Sequence, residues 1–335
     1  MTKHKFFRQF ATVLLISLLC IQAFAQQTTE FRFVETAPDY LLKTMQTNAQ
    51  AVFAEIKSAY AKNKSGLSLS LSNVTGEASK RIQTLWATSH FYCTETSIYA
   101  RVLKSSNGYQ VRNIPVFFAK GDKPEDQYRD IVLEFTAGGI ISDMYIAIAQ
   151  IDYATIMAAA KEVADMRHRQ MVVDVVENFR TAYNRKDMPF LNDIYSDDAL
   201  IITGKVLKSQ KRGDVPTALD QKKIAYSVQN KKQYLANLQK VFTANSYINI
   251  KFDNIKVAQT ESHPNIYGVT LRQEWNSSGG YHDEGWLFLM IDYKDEDNPL
   301  IWVRTWQPLK DPNTGEDIHY NTEDIFGLGN FPVDN

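Results

Sequence analysis

The chain has 335 residues, with 37 Lys and Arg against 38 Asp and Glu, a net charge of −1, and aromatic side chains at 12% of positions. So many aromatics exclude a disordered chain, and a charge so near zero excludes an electrostatic hold on nucleic acid or on an anionic membrane. The length suits two domains of ordinary size.

Residues 1–25 read as a cleaved export signal. Lys3, Lys5 and Arg8 precede the apolar run ATVLLISLLCIQ, and Ala23 and Ala25 place small residues where a signal peptidase reads. The run is too short, and too soon followed by polar QQTTE, for a membrane span. Bulky Leu19 before Cys20 argues against a lipid-anchored alternative. Cleavage after Ala25 removes three positive charges, takes the net charge from −1 to −4, and leaves Cys93 as the remaining cysteine. No intramolecular disulfide then forms, and Cys93 reads as a packed core thiol. The expected location is secreted or periplasmic.

Residues 26–37 read as a loose leader. Leu41, Leu42, Met45, Ala49, Val52, Phe53, Ile56 and Tyr60 recur at helical spacing, and Asn63–Gly66 ends that helix. A short helix over Ala78–Ala87 carries Ile82, Leu85 and Trp86 on one side. From Phe91 the period becomes two. HFYCTETSIYARVLK, YQVRNIPVFF, RDIVLEF and IISDMYIAI read as four strands, with a hairpin at Ala137–Gly139 and an edge or bulge at Pro115. Residues 152–186 read as one long helix or two abutting ones, with Val172, Val175, Val176, Phe179 and Tyr183 along one face. Then come a short helix over 188–195, the strand ALIITGKV, a polar loop over 208–223, the helix YLANLQKVF and four further strands ending at LIWVRTWQ. The order of elements thus repeats, which reads as a duplication whose first copy lacks a counterpart of 188–206.

The informative segment is VVENFRTAYNRKDMPFLNDIYSDDALIITGKV. It resembles the opening of the nuclear transport factor 2-like superfamily, which includes SnoaL-like cyclases and ketosteroid isomerases. The resemblance is clearest over 168–308, and 38–150 joins it by internal analogy. It implies an α+β fold of tandem cone-like domains, 38–150 degenerate and 151–308 complete, each a curved antiparallel sheet wrapped on N-terminal helices. Residues 309–335 are a polar tail that wraps the second domain or stays mobile. The fold hosts enzymes, binders and structural modules alike. Isomerases of the family place an acid base near the end of the first strand, a Tyr on the first helix and a second acid on a late strand. Here those positions fall at Thr203, at Phe179 and within the apolar run Leu287–Ile291. The family's own isomerase residues are absent there, and no catalytic residue is assigned.

Asp197 and Asp198 read as a helix-to-strand corner. In YHDEGW, alternation puts His282 and Glu284 on one face and Asp283 on the other, too few ligands for zinc. In WVRTWQP, Trp302, Arg304 and Trp306 share a face, and Arg304 either pairs with Glu274 or Glu284 or binds an anion in a Trp-lined cleft. Asp311, Asn313 and Asp317 hint at a calcium loop, but the required Gly and acid are replaced by Glu316 and Thr322, leaving an acidic turn. The leading expectation is a non-catalytic binding or scaffold protein. Its candidate pocket is Phe179, Tyr183, Thr203, Trp286, Trp302, Arg304 and Trp306, for a small apolar or anionic ligand. Asp198, Glu274 and His282 are alternative polar contacts, and no cofactor or metal is expected. The outer sheet face calls for cover by the other domain or by a second copy. The rival expectations are a SnoaL-like cyclase, dehydratase or hydrolase with relocated acids, and a structural partner in a surface complex.

Overall fold

The computed structural model describes residues 28–105, 107–120, 127–158, 166–207, 224–260, 262–311 and 314–331. The export signal and the polar loop over 208–223 lie outside the described residues. The protein is α+β, with two six-stranded mixed sheets accompanied by helices. It divides into two compact units on either side of Met144–Tyr145.

In the first unit, strand β1 (Glu30–Val34) precedes helices α1 (Asp39–Ala61) and α2 (Gly76–Thr88), followed by β2 (Phe91–Cys93), β3 (Ser97–Ser105), β4 (Gly108–Phe118), β5 (Tyr128–Thr136) and β6 (Ile141–Ile146). Met45, Ala49, Val52 and Ile56 bury the inward stripe of α1, and Thr75 caps α2 by accepting from the Ala78 N–H. The sheet runs β1-β3-β4-β5-β6, with β2 also on β4. Two expectations are corrected. The leader is a strand over part of its length, because EFRFV alternates and buries Phe31 and Phe33 beside β3. HFYCTETSIYARVLK is two strands, broken at Thr94–Thr96, and the first of them pairs with β4. Pro115 sits in central β4, just past a bulge where Asn113 takes a positive φ of 61°. Its missing N–H costs no ladder bond there, since β3 pairing stops at Val111 and β2 pairing starts at Val116.

In the second unit, α3 (Gln150–Ala158), α4 (Met166–Asn184) and α5 (Met188–Ile194) lead into β7 (Tyr195–Val206). Then follow β8 (Ile224–Asn230), α6 (Lys231–Ala244), β9 (Ile248–Gln259), β10 (Ile266–Ser277), β11 (His282–Asp292) and β12 (Leu300–Pro308). The sheet order is β8-β7-β12-β11-β10-β9, an antiparallel meander from β9 to β12 with β7 added parallel to β12. Strand β8 went unread in the sequence because it is an edge with mostly exposed side chains, and so shows no apolar alternation. The core joins Val172, Val176 and Phe179 of α4 to the inward faces of β9, β10 and β11. Two buried polar side chains of α4 fix the chain before it. Arg180 donates to the carbonyls of Ile146 and Ala147, and Glu177 accepts from the Ile148 N–H at 2.6 Å.

The tail packs on the outer sheet face. Phe326, Leu328 and Phe331 lie against Ile266, Phe288, Met290 and Val303. Buried Gln307 donates to the Asp324 carbonyl at 2.8 Å and accepts from the Phe326 N–H at 2.9 Å. Leu328 occupies the space left by the missing side chain of Gly268, where a Cβ would stand 2.4 Å from it. The face expected to need the other domain or a second copy is therefore covered in part by the chain's own tail.

Candidate functional site

The inner face of this second sheet and helix α6 line a half-open cavity of about 1170 Å³. Thr203, Tyr234, Trp275, Asp283, Arg304 and Trp306 are on its wall. An N-terminal capping box formed by Asn230 and Gln233 sets the start of α6 and so the place of Tyr234. Gly285 makes room for Trp306, since a Cβ there would lie 2.6 Å from the indole and 2.5 Å from the Gln307 carbonyl oxygen.

Arg304 is 5% exposed, and its guanidinium lies over the Tyr234 ring at 5.1 Å. Beneath it the hydroxyls of Tyr183, Tyr195 and Tyr234 form a chain, at 3.1 Å between Tyr183 and Tyr195 and 2.7 Å between Tyr183 and Tyr234. Burial works against the arginine's charge, but the surrounding tyrosines outweigh it and hold the pKa above the ordinary arginine value. Burial likewise raises Tyr183 and Tyr195 well above the ordinary tyrosine value, so both hydroxyls stay neutral. Arg304 Nε and Trp306 Nε1 are buried donors without an acceptor among the described residues.

With Glu284 and Asp311, Asp283 is one of three acids on this wall. Tyr281 donates to its Oδ2 at 2.6 Å, while its buried Oδ1 has no partner among the described residues. Burial pushes the carboxyl up to about 6, against the lowering effects of the Tyr281 hydrogen bond and the charges of Arg304 and His282. Burial, reinforced by Asp283, also raises Tyr281.

Of the residues expected in the pocket, Thr203, Arg304 and Trp306 meet at the cavity, and Tyr183 lies below Arg304. Phe179 is packed in the core between Tyr183 and Phe252. Trp302 and Trp286 are corrections. The β12 register shifts between Ile301 and Val303, which reverses the alternation, so Trp302 is 38% exposed and does not share the face of Arg304. Trp286 has the parity of Phe288 and Met290, which meet the tail on the outer face. Of the alternative polar contacts, His282 is on the cavity wall, whereas Asp198 and Glu274 are not. Asp198 is exposed where β7 loops out of register, Glu274 accepts from Asn276 and pairs with Lys251, and exposed His282 contacts the Asn276 amide at 2.6 Å. Asp197 pairs with Lys231 at 2.7 Å, as a corner residue does.

Sequence reasoning missed Asp283, Tyr234 and Trp275. A signal for Asp283 was present. The inward stripe Ile291, Leu289, Leu287 continues by alternation through Gly285 to Asp283. Glu284 turns from that stripe toward Arg272 and Lys310, not toward Arg304.

No protein-family model and no curated protein matches the sequence. Solved structures to which the chain is similar include Bd1075 of Bdellovibrio bacteriovorus, at 17% identity over 43% of this chain and TM-score 0.32; the match spans 41% of Bd1075. They include an NTF2-like protein of unknown function from Pseudomonas putida KT2440, at 10% identity over 50% of this chain and 99% of the other, TM-score 0.32. A protein of the NTF2-like family from Streptomyces avermitilis matches at 14% identity over 42% of this chain and 94% of the other, TM-score 0.30. The chain is thus similar to NTF2-like proteins over about half its length, a likeness of fold alone, and the α+β architecture stands on the element order and sheets described above.

Proposed function

We propose that the second unit binds a small organic carboxylate with an apolar body, in a protein exported from the cytoplasm. The observation that carries this reading is Arg304, a buried guanidinium facing a cavity, with an unused Nε donor and no carboxylate paired to it among the described residues. A buried charge is costly unless paired and hydrogen-bonded, and a guanidinium fits a carboxylate in two-point geometry. Trp306 Nε1 supplies a second unused donor, and Trp275 and Tyr234 supply faces for an apolar or aromatic body. The volume suits a ligand of ordinary metabolite size. The export reading is supported by the basic, apolar and small-residue order of the first 25 residues.

The test is calorimetric titration of residues 26–335 with acetate, benzoate, decanoate and 2-naphthoate at pH 6. At least one of the larger anions binds, and Arg304→Met weakens it by about 10- to 100-fold, the worth of a charge-assisted hydrogen bond. Thermal unfolding of the variant shows whether the fold survives. Absence of binding by all four anions to the parent chain would sink the reading.

One observation favours a second reading, a proton-transferring enzyme. Asp283 carries a carboxyl at about 6 beside Tyr281 on the same wall. Solvent-proton exchange at the carbon next to the carboxyl of a bound anion, followed by NMR in heavy water, checks it. Exchange that stops in Asp283→Asn supports an enzyme, and no exchange returns the site to binding alone.

A further inference from the structure

Two groups of opposite need share the cavity wall. Arg304 Nε lacks an acceptor, and Asp283 Oδ1 lacks a donor. The guanidinium's charge reaches the Asp283 carboxyl, yet no ion pair joins them among the described residues. The Arg304 charge favours the ionised form of Asp283, against the burial that raises it. An incoming anion offsets that charge and sets a second negative charge on the same wall as Asp283, whose carboxyl is itself largely buried. Two like charges sharing one such site do not both persist, and one takes a proton.

We propose that an anion binding at Arg304 brings one proton with it, onto Asp283. This rests on the carboxylate-binding reading above. The neighbours of Asp283 do not supply the proton's charge by another route. Along β11 it is faced by Tyr281 and His282, and from β12 by Arg304. Lys205 of β7, Tyr234 and Lys240 of α6, and Lys310 and Asp311 beyond β12 complete the titratable or charged wall. From β10 come the uncharged Gln273 and Trp275. Glu284 is engaged by Arg272 and Lys310, with its pKa lowered; burial opposes that shift and the two cations outweigh it. Asp283 remains the carboxyl whose ionisation the anion opposes.

The sign follows. The free carboxyl titrates at about 6, so above that pH the empty site is ionised and must gain a proton on binding. Apparent affinity is flat just below pH 6 and falls by about tenfold per pH unit above it.

The experiment is calorimetry of residues 26–335 with 2-naphthoate or benzoate between pH 5.5 and 8. Each pH is run in two buffers of different ionisation enthalpy, so that the heat counts protons. Near pH 7.5 about one proton is taken up per anion. Asp283→Asn takes up none, binds with an affinity independent of pH, and at pH 8 binds at least about tenfold more tightly than the parent. His282→Asn keeps the parent's proton count. Binding by the parent without proton uptake, or an unchanged slope in Asp283→Asn, overturns the coupling and leaves the carboxylate site standing. Failure of both anions to bind the parent at any pH removes the site and the coupling together. The two failures are therefore told apart.

Discussion

Each unit buries an arginine on a central strand, and the two are treated differently. Arg112 of β4 is 8% exposed, donates to Gln110 Oε1 at 3.1 Å, and Gln110 in turn donates to Glu134 at 2.6 Å. Arg304 of β12 is 5% exposed, with tyrosines around it and an unused Nε. The extra parallel strand differs as well. It joins the first strand of the meander in one unit, as β1 on β3, and the last in the other, as β7 on β12. A buried arginine answered by the protein's own side chains is part of a core. Arg304 is met by tyrosines but by no described carboxylate, which is why we propose it as the receptor for a charge from outside.

The sharpest way to break the comparison is to remove each arginine. Arg112→Met leaves the Gln110–Glu134 cluster short of its donor and costs about 3 kcal/mol in urea unfolding of residues 26–335. Arg304→Met breaks no ion pair among the described residues and is expected to cost less than about 1 kcal/mol at pH 5, where Asp283 is mostly protonated. Equal losses would show that both arginines are structural.

Asp283→Asn is expected to stabilise the protein by about 2–3 kcal/mol at pH 8 and not at all near pH 3. The sign follows from a folded-state carboxyl raised to about 6. Its stabilising effect is full below the unfolded value near 4 and lost as pH rises through 6, and above that the ionised carboxylate is a burden that Asn removes. Urea midpoints against pH check this, and a stabilisation independent of pH would refute it.

Gly285→Ala places a methyl against Trp306 and the Gln307 carbonyl, and is expected to cost about 2 kcal/mol and to weaken anion binding by moving the indole. Leu328→Ala, far from the cavity, is expected to cost about 1 kcal/mol and to leave anion affinity as it was. A change in affinity there would link the tail to the site.

Much of the second unit was legible because alternation and helical spacing depend on one buried face each. The α4 stripe Val172, Val176, Phe179 and the meander both arise that way. What escaped breaks that condition. Strand β8 is mostly exposed on both faces, and β1 is five residues set in polar surroundings. A bulge at Trp302 moved that side chain out of the cavity without any mark in composition. Asp283 was passed over because its neighbours His282 and Glu284 drew attention to the wrong parity, while the apolar stripe leading to it was in plain view. Tyr234 reaches the site from a helix distant in sequence, and no spacing rule joins it to Arg304.

The strap of Phe326, Leu328 and Phe331 over β10, β11 and β12 also bears on when the protein can fold. Phe331 stacks on Phe288 at 5.6 Å, so a face laid down at residue 288 is closed by one made 43 residues later. Wherever the chain folds, the sheet stands apolar side outward until the strap, 43 residues further along, closes over it.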